Sequence, residues 1–132
     1  MSTFKNVEEA REYFKGDKYA LYSGVVIEEL DENTCVCSME ITDKHRNAVG
    51  GVMGGAIFTL ADLSFAAAST NVHSPTVAMQ TSLNFLSAAK GTKLFAKARC
   101  IKDGRTTAVY NVDVTDDTGR PIAQFVGTGY KL

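Results

Sequence analysis

The sequence has little of most things that would announce a function. It holds only two histidines, His45 and His73, and three cysteines, Cys35, Cys37 and Cys100. A metal site needs several such ligands at suitable spacing, so none is expected. The net charge is −1, without the basic excess of a nucleic-acid binder. No apolar run reaches 18 residues, so no transmembrane helix is expected. The start, "MSTFKNVEEAREYF", lacks the apolar centre of a signal peptide, and a cytoplasmic protein is the simplest expectation. A G-x-S-x-G serine elbow, a P-loop and a dinucleotide-binding glycine pattern are all missing. No repeat, linker or low-complexity tract divides the chain, and 132 residues suit a single domain, 1–132.

What is present is a pattern of alternation around one greasy segment. Val7–Lys15 reads as a helix, with Asn6 as N-cap, Glu9 three residues on and Gly16 as its stop. Runs at about Ser23–Leu30 and Thr34–Thr42 flank "DEN" and read as a hairpin. Cys35, Cys37, Met39 and Ile41 share one face of the second run, as thiols filling a core rather than binding a metal. Further strands are expected towards the C-terminus. In the first, Val77, Met79, Thr81, Leu83 and Phe85 share a face. In the second, Leu94, Ala96, Ala98 and Cys100 oppose Lys97 and Arg99. "DGR" turns into a third, with Ala108, Tyr110, Val112 and Val114 on one side, and "DDTGRP" turns into a closing strand. Helix, two strands, long helix and a run of strands describe an α+β domain: an antiparallel sheet around one apolar helix.

That helix, about Gly54–Thr70, carries a single charge, Asp62. Ile57, Phe58, Leu60, Leu63 and Phe65 cover most of its circumference. One stripe, Gly55, Thr59, Asp62, Ala66 and Ser69, is small or polar throughout, and a ligand or second subunit could approach it. Asp62 could be a structurally hydrogen-bonded acid, because a lone buried carboxylate is costly. The four glycines of "GGVMGG" favour a working site. They put free N–H groups and the positive helix end where a carbonyl oxygen could sit, two turns from a carboxylate. A polarised carbonyl plus a base or nucleophile is the minimum for acyl transfer.

The stretch "HRNAVGGVMGGAIFTLADLSFAAASTN" resembles the signature of hotdog-fold acyl-CoA thioesterases of the PaaI-like family. His45, Asn47, Gly50, Gly54, Gly55, Leu60, Ala61 and Asp62 match it, and the resemblance extends over nearly the whole chain. It implies a hotdog fold: an antiparallel sheet of five to six strands wrapped around the central helix. It implies that Asp62 is the catalytic carboxylate, as base for water or as nucleophile. Gly54 or Gly55 would polarise the thioester carbonyl and Asn47 would place water or thioester. "KDGRTT" matches a coenzyme A turn, implicating Lys102, Gly104, Arg105 and Thr106, with Phe85 lining the same channel. Phe58, Phe65 and Leu83 are the expected acyl-pocket residues. No metal and no cofactor beyond the substrate's own coenzyme A is implied. The family's usual histidine before Gly-Gly is Met53 here, and a strand position that is often Ser or Thr is Ala78. The partners implied are an acyl-CoA substrate and a second copy of the chain. Asp62 would face the Asn47 loop across a dimer, with a homotetramer as the full assembly. A non-catalytic acyl-CoA binding module is the alternative. Dehydratase chemistry on an acyl thioester is a third reading, disfavoured because the helix has no histidine.

Overall fold

The structure, a computed structural model, describes residues 2–132. Three helices, α1 (Val7–Tyr13), α2 (Lys18–Tyr22) and α3 (Gly54–Val72), accompany six strands. These are β1 (Val26–Leu30), β2 (Thr34–Glu40), β3 (Thr76–Phe85), β4 (Lys93–Asp103), β5 (Thr107–Asp116) and β6 (Pro121–Lys131). They form one antiparallel sheet in the order β1-β2-β4-β5-β6-β3, which wraps α3 in the hotdog arrangement.

The expected alternation holds on β2, β4 and β5. Cys35, Cys37 and Met39 are buried, as are Leu94, Ala96 and Ala98, and Tyr110, Val112 and Val114. They close over Leu60, Ala61, Phe65 and Ala67 of α3. Phe65 lies on β6, where a Cβ on Gly127 or Gly129 would come within 3.1 Å and 3.4 Å of its ring. Those glycines let the helix settle onto the sheet. Ser64, the polar residue of this core, is satisfied by the carbonyls of Cys35 and Ala96 at 3.0 and 3.1 Å.

Several boundaries differ from expectation. Asn6 caps α1 by accepting the Glu9 N–H at 2.9 Å, but the α-helix yields to a 3₁₀ turn at Phe14–Gly16. The segment after it is helical, so β1 starts at Val26 rather than Ser23, beyond a turn in which Gly24 has φ +86°. The long helix runs to Val72 rather than Thr70. On β3 the alternation breaks, because the register shifts between Ala78 and Gln80 and Met79 bulges out. Ser69, at the far end of the small stripe, is buried, so only its N-terminal part is open. Phe65 is core, packed on Tyr110 and Phe125, and cannot line an acyl pocket.

The two sheet edges are treated differently. β1 is short and covered: α1 packs on it, and Arg11 Nε donates to the Ile27 carbonyl at 2.8 Å. β3 is a ten-residue edge with Val77, Met79 and Phe85 exposed.

Asp116 ties the lower loops together. Its carboxylate accepts the Thr118 hydroxyl and the N–H groups of Lys90, Gly91, Thr118 and Arg120. The Thr118 hydroxyl first, then the backbone donors, hold this carboxyl well below the usual range, against the opposing effect of burial. Its stabilising contribution is therefore complete above the unfolded carboxylate value, about pH 4, and is lost progressively below it. Asp116→Ala should lower Tm by roughly 5 °C or more at pH 7. The difference from the parent should shrink as thermal scans are taken below pH 4.

Candidate active site

The site grows from a loop that cannot form regular structure, "HRNAVGGVM". His45 anchors one end. Its Nδ1 accepts the Thr42 N–H at 3.0 Å, which leaves the ring proton on Nε2 to reach the Ser23 carbonyl at 2.7 Å. The His45 carbonyl in turn accepts the Met53 N–H at 2.7 Å. Asn47 folds the middle. Its Oδ1 accepts the N–H groups of Val49 and Gly51 at 3.1 and 3.0 Å, and its own N–H donates to Gly51 O at 2.8 Å. Gly50 has φ +87°, a backbone region unfavourable to other residues. The Asn47 Nδ2 group remains available.

This loop delivers the chain to α3 with no side chain capping the helix. The Met53 carbonyl accepts the N–H groups of Ala56 and Ile57. Among the described residues, the N–H groups of Gly54 and Gly55 have no acceptor. They sit at the positive end of a 19-residue helix, a natural place for a developing oxyanion. A Cβ on Gly54 would lie 2.7 Å from Cζ of Phe85, so the glycine is what allows that ring to stack there. Asn47, Gly54, Ile57, Phe85 and Leu86 border a hollow of about 500 Å³.

Asp62 is not in that hollow. It lies eight residues further along, a rise of about 12 Å. It faces a second hollow of about 290 Å³, bordered by Phe58, Thr59, Leu63 and, from the start of α2, Asp17, Lys18 and Tyr19. Burial first, and the Asp17 charge second, raise the Asp62 carboxyl above its ordinary value. Within one chain the structure thus brings Asn47, Gly54 and Phe85 together, with Gly55 at the same helix start. It leaves Asp62 in the second hollow, two turns along the helix. Met53 is exposed beside the helix start and borders neither hollow.

Lys102, Gly104, Arg105 and Thr106 are further away. Gly104 N–H donates to Thr107 O at 2.9 Å, and Lys131 N–H donates to Thr106 O at 2.8 Å. Lys131 pairs with Thr76, and Phe85 pairs with Ala123 at the other end of the same ladder. The turn therefore lies about 30 Å from Phe85, at the opposite end of β3. Asp17 and Tyr19 border the Asp62 hollow, and the sequence pattern did not single them out. An aspartate before a short helical piece looks like any helix start, and nothing local shows what lies opposite.

The sequence model of the Thioesterase superfamily matches residues 49–123, which run from the Asn47 loop through α3 into β6. This chain belongs to the thioesterase superfamily. Within it the chain is a PaaI-like hotdog thioesterase, a thioester hydrolase by family. It is 28% identical to the acyl-coenzyme A thioesterase PaaI of Escherichia coli over 126 residues, 95% of this chain and 90% of that one. The solved structure of E. coli PaaI superposes with a TM-score of 0.89, covering 95% of this chain and 91% of that one. Human acyl-coenzyme A thioesterase 13 is 34% identical over 93 residues, 67% of this chain and 66% of that one. A hypothetical thioesterase protein of Streptococcus pneumoniae, solved with coenzyme A, superposes at a TM-score of 0.81 with 27% identity, covering 89% and 94%.

Proposed function

We propose that this chain hydrolyses acyl-CoA thioesters to free acid and coenzyme A, at sites shared between two subunits of a homodimer. The observation that carries the proposal is the division of the site. The helix-start donor at Gly54 and the carboxylate of Asp62 border different hollows of one chain, yet the reaction needs both at one carbonyl. A second copy supplies the missing half.

The exposed β3 edge supports this assembly. A two-fold axis through β3 sets it antiparallel to its copy, so the Thr76 end of one strand meets the Phe85 end of the other. The Lys102–Thr106 turn, beside Thr76, then lies at the same end as the partner's helix start. Pairing also covers Val77 and Met79 and satisfies an edge that would otherwise template aggregation. Two such dimers joined as a homotetramer complete the proposal, with the cytoplasm as its location. No helix among the described residues is long and apolar enough to cross a membrane.

In the mechanism, the partner's Gly54 and Gly55 N–H groups polarise the thioester carbonyl. Asp62 takes a proton from water as the oxygen attacks the carbonyl carbon, and the tetrahedral oxyanion stays on the N–H groups. Collapse expels the coenzyme A thiolate, which takes up a proton. Direct attack by Asp62 followed by hydrolysis of the anhydride uses the same groups. The Asn47 Nδ2 group helps seat the thioester, and Lys102 and Arg105 offer positive charge to the coenzyme's phosphates, with Gly104 and Thr106 shaping that turn. Phe85 lines the channel. No metal and no further cofactor enters the proposal. A panel of aliphatic and aryl acyl-CoA substrates, assayed for released thiol, tests it, and no release from any of them would overturn it.

Met53 offers a graded test. Methionine cannot donate to a carbonyl or orient it, whereas histidine can. The side chain is exposed, so the change leaves the core untouched. Met53→His should raise kcat/KM several-fold, or widen the range of acyl groups, with Tm unchanged. An equal or lower kcat/KM on every substrate would remove Met53 from the site.

A further inference from the structure

We infer that Asp17 is the second carboxylate of this site, a positioning residue that shares one hollow with Asp62 and tunes it as the base toward water. The inference rests on the thioesterase reading for its kinetic consequence, and on geometry for the pair itself.

Asp17 stands at the N-cap of α2, where an aspartate ordinarily accepts an N–H from the first turn. Its carboxylate does not do so, although its backbone carbonyl accepts the Leu21 N–H at 3.0 Å. Instead the residue borders the hollow that holds Asp62. Among the described residues, neither carboxylate accepts a side-chain or backbone hydrogen bond, and neither has a cation within 4.0 Å. Two acids facing one small hollow with no donor between them is an unfavourable arrangement for stability. At a reacting centre it has a use.

The groups that face Asp62 come from two elements. α2 and its cap contribute Asp17, Lys18 and Tyr19, and α3 contributes Phe58, Thr59 and Leu63. Among the described residues that border the hollow, Lys18 is the cation; like Asp17 it is exposed, and it is paired with neither acid. Burial is the larger influence on the Asp62 carboxyl, and the like charge of Asp17 is the second. Removing the Asp17 charge therefore removes one of the two causes that hold the Asp62 carboxyl up. Partial burial raises the Asp17 carboxyl as well. The practical result is a stronger base at Asp62, closer to the operating pH where proton abstraction is most effective. Entry of substrate expels water from the hollow and strengthens the repulsion at the moment a proton is needed.

The test is Asp17→Asn, which keeps an N-cap residue and removes only the charge. Two readouts are taken. The first is the acid limb of the kcat/KM profile for acyl-CoA hydrolysis. Its midpoint should fall by roughly 0.5 unit or more, because Asp62 now ionises without a neighbouring charge. Asp17→Glu, which restores the charge, should return it towards the parent. The second is a carbon-13 NMR titration of the Asp62 carboxyl in the oligomer as isolated. It should show the same downward shift with no substrate present. An unchanged midpoint in both readouts, in a variant with parental circular dichroism, would overturn the pair. If the parent releases no thiol from any acyl-CoA, the proposed activity fails. The NMR titration then still decides whether the two carboxylates are coupled.

Discussion

Asp62→Asn is expected to reduce kcat for acyl-CoA hydrolysis by roughly 10²–10⁴-fold, the usual contribution of a general base. That is about 3–5 kcal/mol of transition-state stabilisation. The substitution keeps size and shape and removes only the ability to take a proton. KM should move little, because the proposed binding surfaces lie at the Gly54 end and on the Lys102–Thr106 turn. The fold should survive and Tm should hold or rise. The sign follows from the raised Asp62 carboxyl. An acid that ionises less readily in the folded state opposes folding above its folded value, and that penalty fades as pH falls through it. Asn carries no such penalty at any pH. Steady-state thiol release and thermal unfolding check both halves. A folded Asp62→Asn enzyme with near-parental kcat would exclude this carboxylate from the chemistry.

The second large effect is complementation. Asp62→Ala and Asn47→Ala should each be nearly inactive alone, the first without its base and the second without the thioester-seating amide. Asn47 also holds its loop through the Val49 and Gly51 N–H groups, so its loss also loosens the approach to Gly54. If each site takes Asp62 from one subunit and the loop from the other, a mixed dimer has one site with both defects and one with neither. Random exchange makes half of the dimers mixed, so recovery should approach about a quarter of parental activity. Mixing after partial unfolding and refolding, or coexpression with two affinity tags, provides the exchange. Recovery near zero in confirmed mixed dimers would assign each site to a single chain. Light scattering of the parent is the simpler companion measurement: an active species of 14.2 kDa would remove the dimer altogether.

The difference between what could be read early and what could not follows from range. Strand alternation is a property of neighbouring residues, so the core faces of β2, β4 and β5 were visible as Cys35–Met39, Leu94–Ala98 and Tyr110–Val114. The bulge at Met79 was not, because a register shift depends on the partner strand β6. Phe65 looked available for an acyl group, and only the glycines of β6 reveal why it is core: they leave the space that its ring fills. The glycine-rich loop and the lone charge of α3 were legible in the sequence as the two halves of the proposed site. Their separation into two hollows on one chain required the turn of the helix and the packing of α2 to be known.

The sequence by itself determined the fold class, the long helix with its single carboxylate, and the family to which "HRNAVGGVMGGAIFTLADLS" points, because each is encoded in local spacing. Tertiary structure alone decided the rest. Asp17 and Asp62 are 45 positions apart, and no periodicity links them; they share a hollow because α2 folds back over the middle of α3. The Lys102–Thr106 turn and Phe85 sit at opposite ends of one sheet because antiparallel registers put them there. Non-local pairing sets such distances, and a single chain can then carry all the parts of a site without holding them in one place.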